Sequence, residues 1–136
     1  MLGTELVRVM LKKRAEGLSE GMRHKTLLHI IDNLSIALAA AHRSPVAEKV
    51  LTSLCYGGTR GNCRVLGHDG QRLPPAFAAM ANSSFAHTMD YDDIHDIARI
   101  HPTSVTLPAA LSAAEVSGRK SDAVIEAVAL GNELMC

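Results

Sequence analysis

Apolar side chains recur along most of this chain every three to four residues, the spacing of one face of an α-helix. The first such stretch runs from Thr4 to Ala15, with Leu6, Val9, Met10 and Lys13 at helical spacing. Gly17 closes it, and Ser19 is placed to cap the next helix. That second stretch, Ser19 to Ala41, is the most apolar. Leu27, Ile31, Leu34 and Leu38 follow a 4-3-4 spacing, and Leu28, Ile30, Ile36, Ala37 and Ala40 fill most of the remaining face. A helix apolar on nearly all sides is expected to be central and buried. Ser44-Pro45 then supplies an N-cap followed by Pro at the first helical position, so a third helix is expected to reach Cys55, before Gly57-Gly58.

The pattern changes between Thr59 and Leu73. Cys63-Arg64-Val65-Leu66-Gly67 followed by His68-Asp69-Gly70-Gln71 predicts a short extended piece and a turn. Pro74-Pro75 opens a fourth helix reaching about Met89, whose Ala76, Ala78, Ala79, Ala81 and Ala86 permit close helix–helix approach. A polar loop, Asp90 to Pro102, separates it from an Ala-rich helix over Ser104 to Ser117, with Pro108 near its first turn and Gly118 past its end. A last helix starts at Ser121-Asp122, a cap with an acidic first turn, and carries Val124, Ile125, Val128, Ala129 and Met135 towards Cys136. The pattern predicts one all-α unit, bundle-like, with a short extended or hairpin segment near 63–73.

Composition narrows the function. Of 136 residues, 47% are hydrophobic, 21% charged and 3% aromatic, and 14 Lys and Arg balance 14 Asp and Glu. A disordered chain has low hydrophobicity and high net charge, and neither is seen. The basic excess of a nucleic-acid binder is missing. No apolar run reaches the roughly 18 residues of a membrane span. Lys12, Lys13 and Arg14 are not followed by an apolar core and a small-residue cleavage site, which reads against a secretory leader. Cys55, Cys63 and Cys136 are odd in number and lack a C-x-x-C pair. They read as ordinary thiols of a reducing, cytoplasmic setting rather than a disulfide framework, zinc site or iron–sulfur cluster.

The polar loop concentrates the chemistry. His87-Thr88-Met89-Asp90-Tyr91-Asp92-Asp93-Ile94-His95-Asp96 with Arg99-Ile100-His101-Pro102 packs four carboxylates, three imidazoles and one guanidinium between two apolar helices. Crowded carboxylates repel when ionised, which favours holding a proton on at least one of them. Histidine titrates near neutrality, so such a loop can move protons at a substrate carbon and oxygen. Other readings of the same residues stand beside this one. Asp92 or Asp93 can cap a turn, Asp96 can pair with Arg99, and His87 and His95 can be ordinary histidines. Asp90, Asp93, His95 and His101 are also good metal ligands. The dipeptides His68-Asp69 and His95-Asp96 resemble those of metal-dependent phosphohydrolases built on helices.

At this loop the sequence resembles the MmgE/PrpD family, which includes 2-methylcitrate dehydratases and cis-aconitate decarboxylases. The resemblance rests on an ordered string. Ala78-Ala79-Met80-Ala81-Asn82 through Ala86-His87-Thr88-Met89-Asp90-Tyr91-Asp92-Asp93 is similar to that family's Ala-rich helix, His and Asp-Tyr-Asp-Asp-type turn. His101-Pro102 resembles its following His-Pro. Pro108-Ala109-Ala110-Leu111, Ala113-Ala114-Glu115 with Gly118, and Ala127 with Gly131-Asn132-Glu133 resemble the next two helices. Upstream, Asp32-Asn33-Leu34 with Ala37-Leu38-Ala39 and Val65-Leu66-Gly67 are similar to earlier segments. Ile94 stands where the family usually has Thr, and Thr103 where it usually has Gly.

The resemblance implies a lyase acting on a small di- or tricarboxylate, foremost the metal-independent dehydration of 2-methylcitrate to 2-methylaconitate, with no cofactor and no metal. It implies His101 as acid/base and Asp90 as its partner, with Asp93, His87, Tyr91 and Arg99 touching substrate or shaping the turn. It also implies that residues 1–136 are the N-terminal part of a helical domain, that a second, α/β domain lies beyond them, and that the full-length form is a homodimer. A trianion would be repelled by four nearby carboxylates, and the positive charge on offer is Arg99, Arg64 and Arg72. The chain is therefore expected to carry the acidic half of a site and to be inactive alone. A non-catalytic helical module that self-associates is the alternative, followed by a metal-dependent hydrolase.

Overall fold

A computed structural model of the chain describes residues 2–136. Six α-helices are found among them: α1 (Leu2–Glu16), α2 (Glu20–Arg43), α3 (Pro45–Leu54), α4 (Pro75–His87), α5 (Thr103–Ser117) and α6 (Ser121–Met135). A 3-10 turn, Tyr56–Gly58, follows α3, and a two-stranded hairpin, β1 (Cys63–Arg64) and β2 (Arg72–Leu73), precedes α4. The all-α class and the hairpin near 63–73 are as the sequence pattern predicts. Among the described residues no helix is long and apolar enough to cross a membrane.

Local chemistry sets most of the boundaries. The Ser19 side chain accepts a hydrogen bond from the Met22 amide and so satisfies one orphan donor of α2. Ser44 serves two helices. Its amide donates to the Ala40 carbonyl at the end of α2, and its hydroxyl accepts from the Ala47 amide at the start of α3. Gly118 ends α5 in the left-handed conformation, φ 63°, which costs an L-residue about 1–2 kcal/mol. At α6 the sequence expectation is corrected. The N-cap is Lys120, which offers no acceptor, and Ser121 lies inside the helix. Asp122 still favours the N-terminal end of the dipole and pairs with Arg23 of α2 at 2.5 Å.

The hairpin is a packing device. Cys63 faces Leu73 across the antiparallel pair, and both are fully buried. A Cβ on Gly61 would sit 2.2 Å from the Leu73 carbonyl carbon, so only hydrogen fits there. Asn82 of α4 binds the end of β1 and the residues just after it. Its Oδ1 accepts from the Leu66 amide at 2.9 Å and its Nδ2 donates to the Arg64 carbonyl at 3.0 Å.

The central helix is α4. Ala78, Ala81, Phe85 and Ala86 are fully buried and pack with Ala37, Ala40 and Ala41 of α2, Ala47 of α3 and Val65. Small side chains let these backbones approach closely, while Phe85 fills the volume. A second apolar cluster joins Leu107 of α5 to Val124 and Val128 of α6, with Ile30 and Leu34 of α2 against them. The expectation that α2 is the buried centre is therefore corrected. Leu28, Ile31 and Leu38 lie 54%, 61% and 46% exposed, and α2 buries the opposite side, from Thr26 through Asn33 to Ala41. Nothing among the described residues covers that outer face. α1 packs on α6, helped by a Lys13–Glu133 ion pair and by Arg14 3.7 Å from Glu126.

Candidate active site

The loop from Thr88 to Pro102 leaves the end of α4 and enters α5. Two non-glycine residues in it take left-handed φ values, Asp90 at 56° and Arg99 at 52°. Asp tolerates this better than most residues because its short carboxylate bonds locally. Asp90 therefore reverses the chain just after α4, and its amide donates to the His87 carbonyl at 3.0 Å. Arg99 closes a second tight turn, in which the His95 amide donates to the Ile100 carbonyl and the Arg99 amide to the His95 carbonyl. His95 Nδ1 accepts from the Ala98 amide at 3.1 Å, so that ring is used to hold the turn.

The reversal at Asp90 sends Tyr91 outward and Asp92 inward. Tyr91 is 74% exposed, whereas the Asp92 carboxylate is fully shielded from solvent. Both Asp92 oxygens lie 3.1 Å from His87 Nδ1, which donates its proton to them. His101, brought back by the end of the loop, places Nδ1 3.4 Å from Asp92 Oδ2 without hydrogen-bond geometry. Its Nε2 lies 4.0 Å from Asp90 Oδ1, and the His87 and His101 rings meet edge-on, with centroids 4.7 Å apart. Asp92 is thus the buried anchor of a pair of imidazoles, and Asp90 sits exposed beside His101. Both rings line a cleft of about 400 Å³ shared with Ser83, Ser84, Ser104 and Met135.

Asp93 faces the other way. Its Oδ2 accepts from Thr103 Oγ1 at 2.8 Å and lies 3.7 Å from His29 Nδ1 of α2, while its Oδ1 is buried without a hydrogen-bond partner. The Thr103 hydroxyl in turn accepts from Asn132 Nδ2 at 2.9 Å, and Asn132 Oδ1 accepts from Thr106 at 2.6 Å. This relay ties the loop to the first turn of α5 and to α6. It opens on a second cleft, of about 340 Å³, lined by Lys25, His29, Asp93, Ile94 and His95.

The structure therefore brings His87, Asp90 and His101 together and sets Asp93 in the neighbouring cleft. Tyr91 and Arg99 line neither cleft, and neither side chain forms a hydrogen bond or ion pair among the described residues. The Asp96–Arg99 pair weighed from the sequence does not form among them. Arg64 is 3.4 Å from Glu115 and Arg72 donates to the Asn62 carbonyl, so both remain at the hairpin. Four residues singled out for no site role in the sequence belong to this region: Asp92, His29, Thr103 and Asn132. A signal for His29 was present, since Lys25 and His29 are four apart on one face of α2. No local signal separates Asp92 from Asp93, because the reversal at Asp90 decides which of them is buried. The expected ligand set Asp90, Asp93, His95 and His101 is not assembled. The residues whose donor atoms converge are His87, Asp90, Asp92 and His101, all within 4.8 Å of one another.

Over 87 residues the chain is 40% identical to the cis-aconitate decarboxylase of Aspergillus terreus, a match covering 64% of this chain and 17% of that protein. Over 90 residues it is 33% identical to the cis-aconitate decarboxylase-like protein oryM of Aspergillus oryzae, covering 66% of this chain and 18% of the relative. The shared stretch is thus less than a fifth of either relative's length. The description of the MmgE/PrpD N-terminal domain matches residues 4–136, from the first helix through the last. The chain belongs to the MmgE/PrpD family and carries its N-terminal domain.

Proposed function

We propose that this chain supplies the acid–base face of a lyase acting on a small tricarboxylate, with decarboxylation of a cis-aconitate-type substrate as its reaction. The carrying observation is the convergence of His101, Asp90 and His87 around the buried Asp92 at the edge of an open cleft. The 40% identity to a cis-aconitate decarboxylase supports the substrate class.

The chemistry needs one proton, well placed. Loss of carbon dioxide from a carboxylate carried on a carbon next to a double bond breaks the carbon–carboxyl bond. The freed electron pair forms a new double bond and displaces the old one towards the far carbon, which takes up a proton. His101 is the proton donor in this proposal, because its ring lines the cleft and its Nε2 lies 4.0 Å from the exposed Asp90. Asp90 re-supplies or orients that proton. Asp92 fixes the His87 tautomer by accepting from Nδ1, which leaves Nε2 of His87 as an acceptor towards the substrate. Dehydration of 2-methylcitrate, the reaction foremost in the sequence expectation, would use the same pair as base and then acid. It is the other arm of the assay.

Charge limits what this cluster does alone. Two carboxylates lie beside the histidines, while Arg99 lines neither cleft and Arg64 and Arg72 stay at the hairpin. Cations that hold the substrate carboxylates must come from outside the cluster. The chain by itself is accordingly expected to release carbon dioxide from cis-aconitate well below about 1 s⁻¹, the lower end of ordinary turnover. An ordinary rate from the chain alone would overturn the half-site assignment. In the assembled enzyme, His101→Asn should lower decarboxylation by at least about 100-fold. Unchanged turnover in that variant, or water loss from 2-methylcitrate with no loss of carbon dioxide from cis-aconitate, would overturn the proposal.

A further inference from the structure

We propose that His87, Asp90, Asp92 and His101 form a binding site for one zinc-type divalent cation, and that such an ion blocks the proposed acid–base pair. The donor set is two imidazoles and two carboxylates. That mixture suits zinc and neighbouring transition metals, whereas magnesium and calcium prefer oxygen ligands throughout. The four donor atoms lie within 4.8 Å of one another. In a tetrahedron with bonds of about 2 Å, ligand atoms sit about 3.3 Å apart. The contacts at Asp92 already approach that figure, at 3.1 Å to His87 and 3.4 Å to His101. The 3.4 Å contact uses His101 Nδ1, whereas Asp90 Oδ1 lies 4.0 Å from Nε2 of the same ring, so Asp90 must move to reach an ion held by Nδ1. Asp90 is also the freest of the four, its side chain 82% exposed, so it can swing in.

Two features leave the cluster short of positive charge. The Asp92 carboxylate is fully shielded, and its neighbours are imidazoles that carry no charge when unprotonated. A buried carboxylate without a cation is costly. His101 Nδ1 is buried beside it with no hydrogen-bond partner. A divalent ion would satisfy both, and the half-exposed His87 ring gives it a way in from solvent. On binding, the ion would displace the His87 proton now donated to Asp92. Metal binding does not depend on the lyase reading; only the blocking of catalysis does.

The test is calorimetric titration of the 136-residue chain with zinc chloride, and with magnesium chloride in parallel. One equivalent of zinc should bind in the low micromolar range or tighter, and magnesium far more weakly. Loss of even an outer-shell partner lowers metal affinity about 10- to 100-fold, so His87→Gln and Asp90→Asn should each weaken zinc binding at least about tenfold. Asp90→Asn changes an exposed side chain, so its result does not hinge on folding. Cys136→Ser, which removes the exposed thiol, should leave binding unchanged. Unaltered affinity in His87→Gln and Asp90→Asn, loss of binding in Cys136→Ser, or zinc binding no tighter than magnesium would overturn the proposal. Failure of the lyase assay with zinc binding intact would overturn the functional reading alone.

Discussion

Single residues decide how this loop works, and Asp92 is the clearest case. Its carboxylate is buried and accepts the His87 proton, so Asp92→Ala removes a charge-assisted partner and strands two imidazoles. The expected loss is about 1–3 kcal/mol in urea denaturation. Thr103→Val should cost a similar amount, about 1–3 kcal/mol, because Asp93 loses its donor and Asn132 its acceptor. Thr103 also shows what sequence alone misses. As a departure from the family pattern it reads as a change of turn, yet the structure makes it a fully buried junction between loop, α5 and α6. Cys63 carries the pH dependence. Burial pushes its thiol above the ordinary value of 9.0, Glu115 pushes the same way, and Arg72 partly opposes them. The folded thiol therefore stays protonated where the unfolded one ionises, and stability should fall as pH rises past 9.0. Denaturation midpoints of Cys63→Ala should lose that part of the decline.

Most element ends that rest on neighbours in sequence were legible, the start of α6 excepted, where Lys120 rather than Ser121 is the N-cap. Ser19, Gly17, Ser44-Pro45 and Gly118 mark boundaries through caps that involve residues within one turn, and the structure places them as their chemistry predicts. Ser44→Ala should cost about 1 kcal/mol, since it removes the cap of α3 and a 3.1 Å contact with Thr88 at the foot of the loop. Burial was less legible, because it depends on partners distant in sequence. α2 reads as apolar on all sides, but its Leu28–Ile31–Leu38 face is exposed, while the Ala-rich α4 is central. The contrast is measurable. Leu28→Lys should change stability by no more than about 0.5 kcal/mol, whereas Leu107→Ala in the fully buried cluster should cost about 2–5 kcal/mol.

At the scale of the whole molecule, the helices act as a frame that brings one loop's two ends together. α4 delivers His87, the start of α5 receives His101, and the two helices pack against each other, which fixes the spacing of the rings. The Asp-Tyr-Asp-Asp and His-Pro strings made the location of the site legible. The division of labour inside it was not, because after the left-handed turn at Asp90 the Asp92 carboxylate is buried against His87 and His101 while Asp93 lines the other cleft. The cleft beside His87 and His101 is proposed to receive a tricarboxylate. The most direct measurement titrates the assembled, ¹⁵N-labelled enzyme with cis-aconitate and follows the imidazole resonances. The His87 and His101 signals should shift together and saturate, and the His101 shift should shrink in Asp90→Asn. Saturating shifts confined to His29, or no shift at either His87 or His101, would contradict it.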